Sequence, residues 1–188
     1  MKLISFLKKN KIIKNRFTYI KKAKDAKISI KGFLNLCGNS FGYNGRSSIL
    51  RMDNNSTLEC ENFTFMYGAD IILFENAKLK LGKNSFINSD CKIRCHKEIS
   101  IGENCAISHD FTIMDSDGHY IDGIKKTAPV VIGNNVWIGT RVTILKGVTI
   151  GDGAVIASGS VVINDIPGKS MAGGVPAKVI KEKVEWKV

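Results

Sequence analysis

Three histidines are the side chains in this sequence best suited to moving a proton near neutral pH. His119 ends the segment Asp115-Ser116-Asp117-Gly118-His119, whose carboxylates would orient the ring or bind a substrate hydroxyl. The alternative for Asp115 and Asp117 is turn formation, because aspartate favours turns. His109 and His96 are expected on the surface, with the lining of an acceptor groove as a second interpretation of His109. Because histidine is the natural general base near neutral pH, each of the three is considered for that role.

The five cysteines carry no clear disulfide or metal signature. Their odd number and the absence of a CxxC pair indicate reduced thiols. A zinc site needs paired Cys or His ligands at short spacing, and Cys91 and Cys95, with His96 beside them, form the one close pair, which is weak evidence for a site. We therefore expect small apolar side chains in a core, and no metal. The cysteines are Cys37, Cys60, Cys91, Cys95 and Cys105.

A six-residue repeat in the C-terminal half determines the architecture that would position these side chains. This period fits neither the 3.6 residues of a helix nor the alternation of a simple strand. It predicts a chain that turns a corner every six residues, so that three steps close one coil of about 18 residues. Coils then stack their inward aliphatic side chains into a continuous core, with Gly or Asn at the corners. The repeated inward positions are Ile132, Ile138, Ile144, Ile150, Ile156 and Val162.

The repeat is interrupted once, by a polar segment over residues 114–130 that contains His119. Upstream of it, less regular copies of the repeat begin at Leu58, Leu81 and Ile101. The segment is therefore predicted to be a loop extruded from an otherwise regular solenoid. Loops held by a rigid scaffold are common carriers of chemistry.

Positive charge is concentrated at the N-terminus. Residues 1–31 contain eleven Lys or Arg and one acid, a net charge of +10, whereas the remaining chain has 17 basic and 16 acidic residues, or +1. The near-neutral body argues against a nucleic-acid-binding protein. We predict a basic arm over 1–31 that carries charge rather than core. Two interpretations stay open for residues 1–24: an amphipathic helix on an anionic membrane surface, and a solvated extension.

The sequence divides into the arm, a β-helix domain over 32–166 and a C-terminal cap over 167–188. Pro176 is expected to open a short capping helix, because proline suits the first helical position. No apolar run approaches the roughly 20 residues of a membrane span, and the run near the N-terminus is too short for a signal peptide. We therefore expect a cytoplasmic protein, with peripheral contact at the inner face of the membrane if the arm docks there.

Two stretches carry a family resemblance in addition to the repeat. They are VIGNNVWIGT at 131–140 and AGGVPAKVI at 172–180. Together they resemble the hexapeptide-repeat acyltransferases, in particular the galactoside and maltose acetyltransferases and the O-acetyltransferases of bacterial surface polysaccharides. The resemblance covers roughly residues 58–182. It implies an all-β, left-handed parallel β-helix, a homotrimer, acetyl-CoA as co-substrate, and active sites between neighbouring subunits.

The resemblance also assigns roles to residues of this sequence. It implies that His119 is the catalytic base and that Trp137 borders the active site. The backbone amides of Gly139 and Thr140 would meet the pantetheine of acetyl-CoA and stabilise the oxyanion, with Ser158 at the matching position one coil later.

Further roles implied by the resemblance concern the two ends of the substrates. Lys178 and Lys181 match positions that contact the nucleotide end of CoA, although lysine lacks the bidentate grip of arginine. Asp90 is the candidate for a substrate-facing carboxylate, with a corner residue of the coil as the alternative. Independently of the resemblance, Asp115 and Asp117 are candidates for binding the acceptor, with turn formation as the alternative given above.

The leading hypothesis is an acetyl-CoA-dependent O-acetyltransferase that acetylates a sugar hydroxyl of a surface polysaccharide or its precursor by direct transfer. One alternative is an N-acetyltransferase of a nucleotide-linked amino sugar, and another is a non-catalytic β-helix scaffold, which would not bind acetyl-CoA. A zinc enzyme like the γ-class carbonic anhydrases would need three metal histidines, and the spacing of the three present does not fit that pattern.

Overall fold

The chain forms a parallel β-helix in a computed structural model that describes residues 10–37, 46–124 and 126–187. These residues form twenty strands and no helix. The chain turns a corner after each strand, and each strand of a coil pairs in parallel with its counterparts in the neighbouring coils. The prediction of an all-β solenoid is confirmed.

The strands stack into three faces, which the chain visits in the order 1, 2, 3 in every coil. β3 and β5 each bend at a corner and contribute to two faces. Face 1 contains β1 (Lys11–Ile13), the second part of β3 (Lys27–Asn35), the second part of β5 (Thr57–Phe65), β8 (Phe86–Ile87), β11 (Ala106–Ile107), β14 (Trp137–Ile138), β17 (Val155–Ile156), β19 (Ser170–Gly174) and β20 (Ala177–Glu182). Face 2 contains β2 (Thr18–Lys22), β4 (Ser48–Met52), β6 (Asp70–Leu73), β9 (Lys92–Cys95), β12 (Thr112–Met114), β15 (Thr143–Ile144) and β18 (Val161–Val162). Face 3 contains the first parts of β3 and β5, then β7 (Lys78–Leu81), β10 (Glu98–Ile101), β13 (Val130–Ile132) and β16 (Thr149–Ile150).

Three edges separate the faces. The Thr140 edge joins face 1 to face 2, the loop edge joins face 2 to face 3, and the asparagine edge joins face 3 to the next coil's face 1. Asparagine recurs at the last edge because it tolerates the left-handed backbone that a tight corner needs. Its members have φ between 48° and 57°: Asn62, Asn84, Asn104 and Asn135.

The core is a set of stacked aliphatic side chains, as the repeat predicts. On face 2, Ile93 lies in register with Ile113, Ile113 with Ile144, and Ile144 with Val162, and all four are fully buried. Burial of each such side chain contributes about 1.5–3 kcal/mol before entropy is counted. Four of the five cysteines are buried in the same core, which confirms their structural interpretation.

The N-terminal segment is not an arm, and this corrects the boundary drawn at residue 31. That boundary falls inside β3, and β1 to β3 together form the first coil, paired in register with the second. Lysines are compatible with these strands because alternate residues point outward, while Ile12, Ile20 and Ile28 pack against the core. A helical face over residues 11–22 is therefore wrong. Residues 1–9 lie outside the described residues, where the membrane interpretation stays a prediction.

The C-terminal cap is a β-hairpin rather than the expected helix. β19 continues face 1 by pairing in parallel with β17, and β20 then pairs antiparallel with β19. The chain reverses at Val175 and Pro176, and β20 covers the edge strand that the last coil would leave open. Among the described residues no helix long and apolar enough to cross a membrane is found.

Candidate active site

The interruption of the repeat is an excursion from the loop edge with paired legs. Its ends lie in β12 and β13, so the loop proper spans residues 115–129. A bridge between Ser116 and Thr127 joins the two legs near the base, and a second between Ile121 and Ile124 closes the tip. The two legs of the loop are therefore paired with each other, and the loop has a defined conformation.

Asp115 anchors the base of this loop to the coil before it. Its side chain is fully buried, and Oδ1 accepts a hydrogen bond from the His96 backbone N–H at 2.6 Å. Oδ2 accepts two more, from the backbone N–H groups of Lys97 and Glu98, both at 2.7 Å. This carboxylate is occupied by backbone donors and is closed to solvent. The expectation that Asp115 binds the acceptor is therefore corrected: it is a positioning residue for the loop.

Asp117 ties the loop to the coil after it. Its carboxylate forms an ion pair with Lys146 Nζ at 2.5 Å, and the Gly147 backbone N–H donates to the carbonyl of Ala128 at 3.1 Å. Both residues of the following coil lie on the loop edge. The base of the loop is thus held from both sides. Asp117 therefore pairs with Lys146 within the chain, and its predicted role in substrate binding stays a prediction.

His119 lies on the part of the loop that projects into solvent. Its side chain is exposed, as are those of three large hydrophobic neighbours, Tyr120, Ile121 and Ile124, each more than half exposed. Apolar side chains clustered on a projecting tip are typical of a surface that another protein or a ligand covers.

Four of the other predicted site residues lie on the Thr140 edge: Asp90, Gly139, Thr140 and Ser158. Ser158 stacks on Thr140 from the next coil, and its Oγ accepts the Thr140 backbone N–H at 3.2 Å. A Cβ on Gly139 would lie 2.6 Å from Ser158 Oγ and 2.7 Å from Ser158 N, so a side chain has no room there. Thr140 and Ser158 therefore occupy matching positions in consecutive coils, as the sequence predicts.

One role expected of this edge is corrected by the hydrogen bonding. The Gly139 N–H donates to the Ile156 carbonyl at 2.8 Å as part of the β-ladder, so it is not free to stabilise an oxyanion. The Thr140 N–H donates to the Ser158 hydroxyl, whose side chain can rotate away and leave this N–H free for a ligand. Thr140 is therefore the remaining backbone donor of the two.

Asp90 and His109 occupy earlier coils of the same edge. Asp90 has a positive φ of 64°, its N–H donates to the Tyr67 carbonyl at 3.0 Å, and its carboxylate forms an ion pair with Arg46. The exposed His109 lies directly before Thr140 in the stack, since its carbonyl accepts the N–H of Arg141 at 2.9 Å. The corner position predicted as the alternative for Asp90 is thus its structural setting.

Trp137 and the two lysines lie on face 1 towards the C-terminal end. Trp137 points outward and is 44% exposed, and its ring centroid lies 6.1 Å from that of Trp186, whose Nε1 donates to the Asn135 carbonyl at 2.7 Å. Lys178 and Lys181 are exposed on β20. No repeat position of the sequence points to Trp186 as a neighbour of Trp137.

His96 also differs from its sequence-based description as a surface residue. Its ring is half-buried and stacks on Phe74 from the preceding coil, with centroids 3.7 Å apart and planes 14° from parallel. Burial lowers the pKa of His96, with Asp115 acting in the opposite direction and Lys126 in the same direction. His96 is thus part of an aromatic stack on the loop edge.

A single chain places the two groups of site residues on different edges. His119 extends from the loop edge, whereas Asp90, Thr140 and Ser158 lie on the Thr140 edge, across the width of face 2. About five residues at ~3.3 Å each span that face, so the edges are roughly 16 Å apart. Within the described residues no group of three or more His, Cys, Asp or Glu is placed to hold a metal ion.

One groove in the described part of the chain lies away from these residues. It has a volume of about 570 Å³ on face 3 and is lined in part by Glu59, Lys80 and Asn134. Ion pairs such as that between Lys78 and Glu59, at 2.7 Å, cross this face. None of the predicted site residues borders the groove, so it carries no support for catalysis.

Comparison with known proteins gives a consistent result. The family profile "Bacterial transferase hexapeptide (six repeats)" matches residues 129–164. A polysialic acid O-acetyltransferase of Escherichia coli O1:K1 / APEC is 38% identical over 124 residues, which are 62% of this chain and 40% of that protein. The chain spans less than two thirds of the length of the first curated relatives that it matches.

Two solved structures extend the comparison to the fold. A maltose O-acetyltransferase from Clostridium difficile 630 has 38% identity and a TM-score of 0.53, and the match covers 69% of this chain and 67% of that one. A galactoside acetyltransferase in complex with coenzyme A has 32% identity and a TM-score of 0.53, with 69% and 66% covered. The solenoid of this chain is the left-handed β-helix of these enzymes, and the chain belongs to the hexapeptide-repeat acyltransferase family.

Proposed function

We propose that the protein is an acetyl-CoA-dependent O-acetyltransferase that acts on a sugar hydroxyl of a surface polysaccharide or its precursor. Family membership supports acyl transfer. The relatives named for polysialic acid, maltose and galactoside support a sugar acceptor, and the coenzyme A complex of the last supports the donor.

The observation that carries the proposal is the division of the site residues between two edges. In a closed ring of three identical chains, one surface of each subunit meets a different surface of its neighbour. The loop edge of one subunit then faces the Thr140 edge of the next, so that His119 approaches Thr140 and Asp90 of another chain. The exposed apolar tip around Tyr120 and Ile121 is covered in the same contact. The proposed enzyme is therefore a homotrimer with three sites between subunits.

In this arrangement His119 acts as the general base. It takes the proton from the acceptor hydroxyl as that oxygen attacks the thioester carbonyl, and a tetrahedral intermediate forms. The carbon–sulfur bond then breaks, the ester remains on the sugar, and the proton passes from His119 to the CoA thiolate. The Thr140 N–H is the donor for the intermediate's oxyanion, helped by the Ser158 hydroxyl.

Direct transfer, without an acetyl-enzyme, is supported by the state of the thiols. Burial raises the pKa of Cys60 and of Cys91 to about 12, and it also raises the pKa values of Cys95 and Cys105. A thiol with a raised pKa and no access to solvent is a poor nucleophile. Lys178 and Lys181, on the exposed hairpin at the same end of face 1 as Trp137, are assigned to the phosphates of CoA.

The test is release of free CoA thiol from acetyl-CoA in the presence of a panel of acceptors. The panel contains free sugars, sugar nucleotides with an amino group, and polysaccharide fragments. We expect release with acceptors that carry a free hydroxyl on a sugar, together with an alkali-labile acetyl ester in the product. An alkali-stable amide, or no release with any acceptor, would contradict the proposal.

A further inference from the structure

The first coil of the β-helix carries an excess of positive charge that the other coils lack. Residues 10–31 contain eight Lys or Arg and one acid, a net charge of +7, whereas residues 32–188 carry a net charge of only +1. All eight basic side chains are exposed. One end of the three-faced prism is therefore strongly positive, and the rest is close to neutral. The eight residues are Lys11, Lys14, Arg16, Lys21, Lys22, Lys24, Lys27 and Lys31.

These cations stand around the whole perimeter of the first coil. Lys11 lies on β1, Lys21 on β2 and Lys27 on β3, which belong to faces 1, 2 and 3. Lys14 and Lys24 lie at the two corners between these strands. A groove for a linear polyanion would concentrate its cations along one face or one edge. A ring of cations at one end of a prism matches instead a flat negative surface that lies across the prism axis.

The later coils neutralise their outward lysines within the chain, and the first coil does not. On face 3, strands of neighbouring coils are joined by the ion pairs Lys78–Glu59 at 2.7 Å and Lys80–Glu98 at 2.6 Å. Among the described residues, none of the eight cations of the first coil takes part in an ion pair. Their charge is therefore available to an external anion.

The acids nearest to the first coil stand on one side of it. They lie at the loop edge or on face 3, so face 1 and the Thr140 edge of this coil have no acid to offset Lys11, Lys14 and Arg16. Even with these acids included, residues 10–62 carry ten basic and four acidic side chains. The end of the prism thus stays positive on every side. The four acids are Asp25, Asp53, Glu59 and Glu61.

We propose that the first coil is an electrostatic docking surface for an anionic lipid membrane that lies across the prism axis. Basic side chains near such a membrane are attracted to its acidic lipids. The exposed Tyr19 stands on the same coil, and an amphipathic ring of this kind suits the boundary between headgroups and water. Because the contact is made by surface charge and no apolar segment is inserted, binding is expected to be reversible and sensitive to salt.

The homotrimer that belongs to the proposed function would strengthen this docking. Rotation about the axis of a closed ring leaves the same end of every subunit on the same side. Three first coils would then face one membrane together, and their contacts would reinforce each other. The coil that carries His119 is the fifth, so at about 4.8 Å per coil it would stand roughly 19 Å from the docked coil. Docking would therefore hold the proposed sites near acceptors that are attached to the membrane.

The experiment measures co-sedimentation of the full chain with vesicles, without acetyl-CoA or acceptor, so that it does not depend on turnover. Vesicles of phosphatidylcholine with about 30% phosphatidylglycerol are compared with vesicles of phosphatidylcholine alone, at about 0.1 M and 0.5 M salt. We expect capture by the anionic vesicles at the lower salt, release at the higher salt, and no capture by the neutral vesicles. Absence of capture by the anionic vesicles refutes the docking surface, whereas failure of the thiol-release panel refutes the proposed function instead.

Two pairs of substitutions locate the contact on the first coil. Lys11→Gln with Lys14→Gln changes one side of the coil, and Lys27→Gln with Lys31→Gln changes another. Each pair should weaken vesicle binding about tenfold or more, because a plane across the axis touches both sides. These side chains are exposed, so both variants should melt with the unmodified protein.

A matched control removes the same charge elsewhere. Lys183→Gln with Lys187→Gln changes two exposed lysines of the tail after β20 and should alter vesicle binding less than about twofold. Deleting residues 1–9 removes three further lysines that precede the coil. The shortened protein should still be captured, and its capture should still depend on Lys11 and Lys14.

Four outcomes would overturn the assignment. Equal weakening by the control pair would show a response to net charge alone. Weakening by only one of the two first-coil pairs would indicate a one-sided groove for a linear polyanion. Loss of all capture on deleting residues 1–9 would place the contact outside the coil. Binding of a short DNA duplex, with no capture by anionic vesicles, would assign the basic end to nucleic acid.

Discussion

Replacing Asp115 by asparagine tests whether one buried carboxylate holds the loop that carries His119 in place. In the structure the carboxylate accepts three backbone N–H groups, from His96, Lys97 and Glu98. An asparagine of the same shape turns its oxygen towards the N–H groups of Lys97 and Glu98 and its NH₂ group towards that of His96. One charge-assisted hydrogen bond is then lost, at ~1.5–3 kcal/mol, and the other two become neutral ones, at a cost of ~1 kcal/mol each, so we expect a loss of about 3–5 kcal/mol.

The assay is thermal unfolding followed by calorimetry, together with CoA release on the same samples. For a chain of this length a loss of that size lowers Tm by roughly 10 °C. Turnover should fall as well, because the loop that carries His119 loses its attachment to the preceding coil. Asp117→Asn is the control: it removes a partly exposed ion pair to Lys146 and should cost about 1 kcal/mol or less. If the Asp115 variant melts within about 2 °C of the unmodified protein, Asp115 is not the anchor.

Three further predictions follow from the same structure. In steady-state kinetics, His119→Ala should lower turnover by about 10²–10⁴-fold with acetyl-CoA affinity unchanged, while His109→Ala should lower turnover far less. A larger fall in turnover for His109→Ala than for His119→Ala would assign the general base to His109 on the Thr140 edge. Deleting residues 1–31 removes the first coil and uncovers the buried Leu34, Leu50 and Leu58, so the shortened protein should melt at a lower temperature or aggregate. A melting curve like that of the full chain would show that the first coil adds nothing to the core. At pH 8 a thiol reagent should modify at most Cys37 in the folded protein and all five cysteines after unfolding, because burial raises the pKa of the other thiols and keeps them protonated. Rapid reaction of two or more thiols in the folded protein would contradict that burial.

The regular coils were predictable because their sequence repeats at the spacing that the structure uses. Ile144 and Val162 are separated by three steps of six residues and lie in register on face 2. The position of the loop followed from the single break in that repeat. In the first three coils the strands reach five and nine residues and the corners vary in length, so the period disappears from the sequence while the stacking remains.

The local chemistry of the site was less predictable because it depends on which side chains share an edge. Phe74 and His96 are 22 residues apart in sequence and become neighbours only once the lengths of the intervening corners are known. Asp115 stands among polar turn residues, and no local signal shows that its carboxylate is buried against the previous coil. The high lysine content of residues 1–31 predicts a charged arm rather than a coil. This prediction is wrong because outward strand positions accept charge without cost to the core.

Subunit complementation tests the central claim most directly, which is that each site joins the loop edge of one chain to the Thr140 edge of its neighbour. Two inactive variants are needed: His119→Ala on the loop, and Gly139→Val, which collides with Ser158 on the Thr140 edge. Mixed by unfolding and refolding together, they should recover about a quarter of the unmodified activity, because one site in four pairs an intact loop with an intact edge. Activity no higher than that of the separate variants, in mixtures shown to contain hybrid trimers, would place the whole site within one chain and contradict the account.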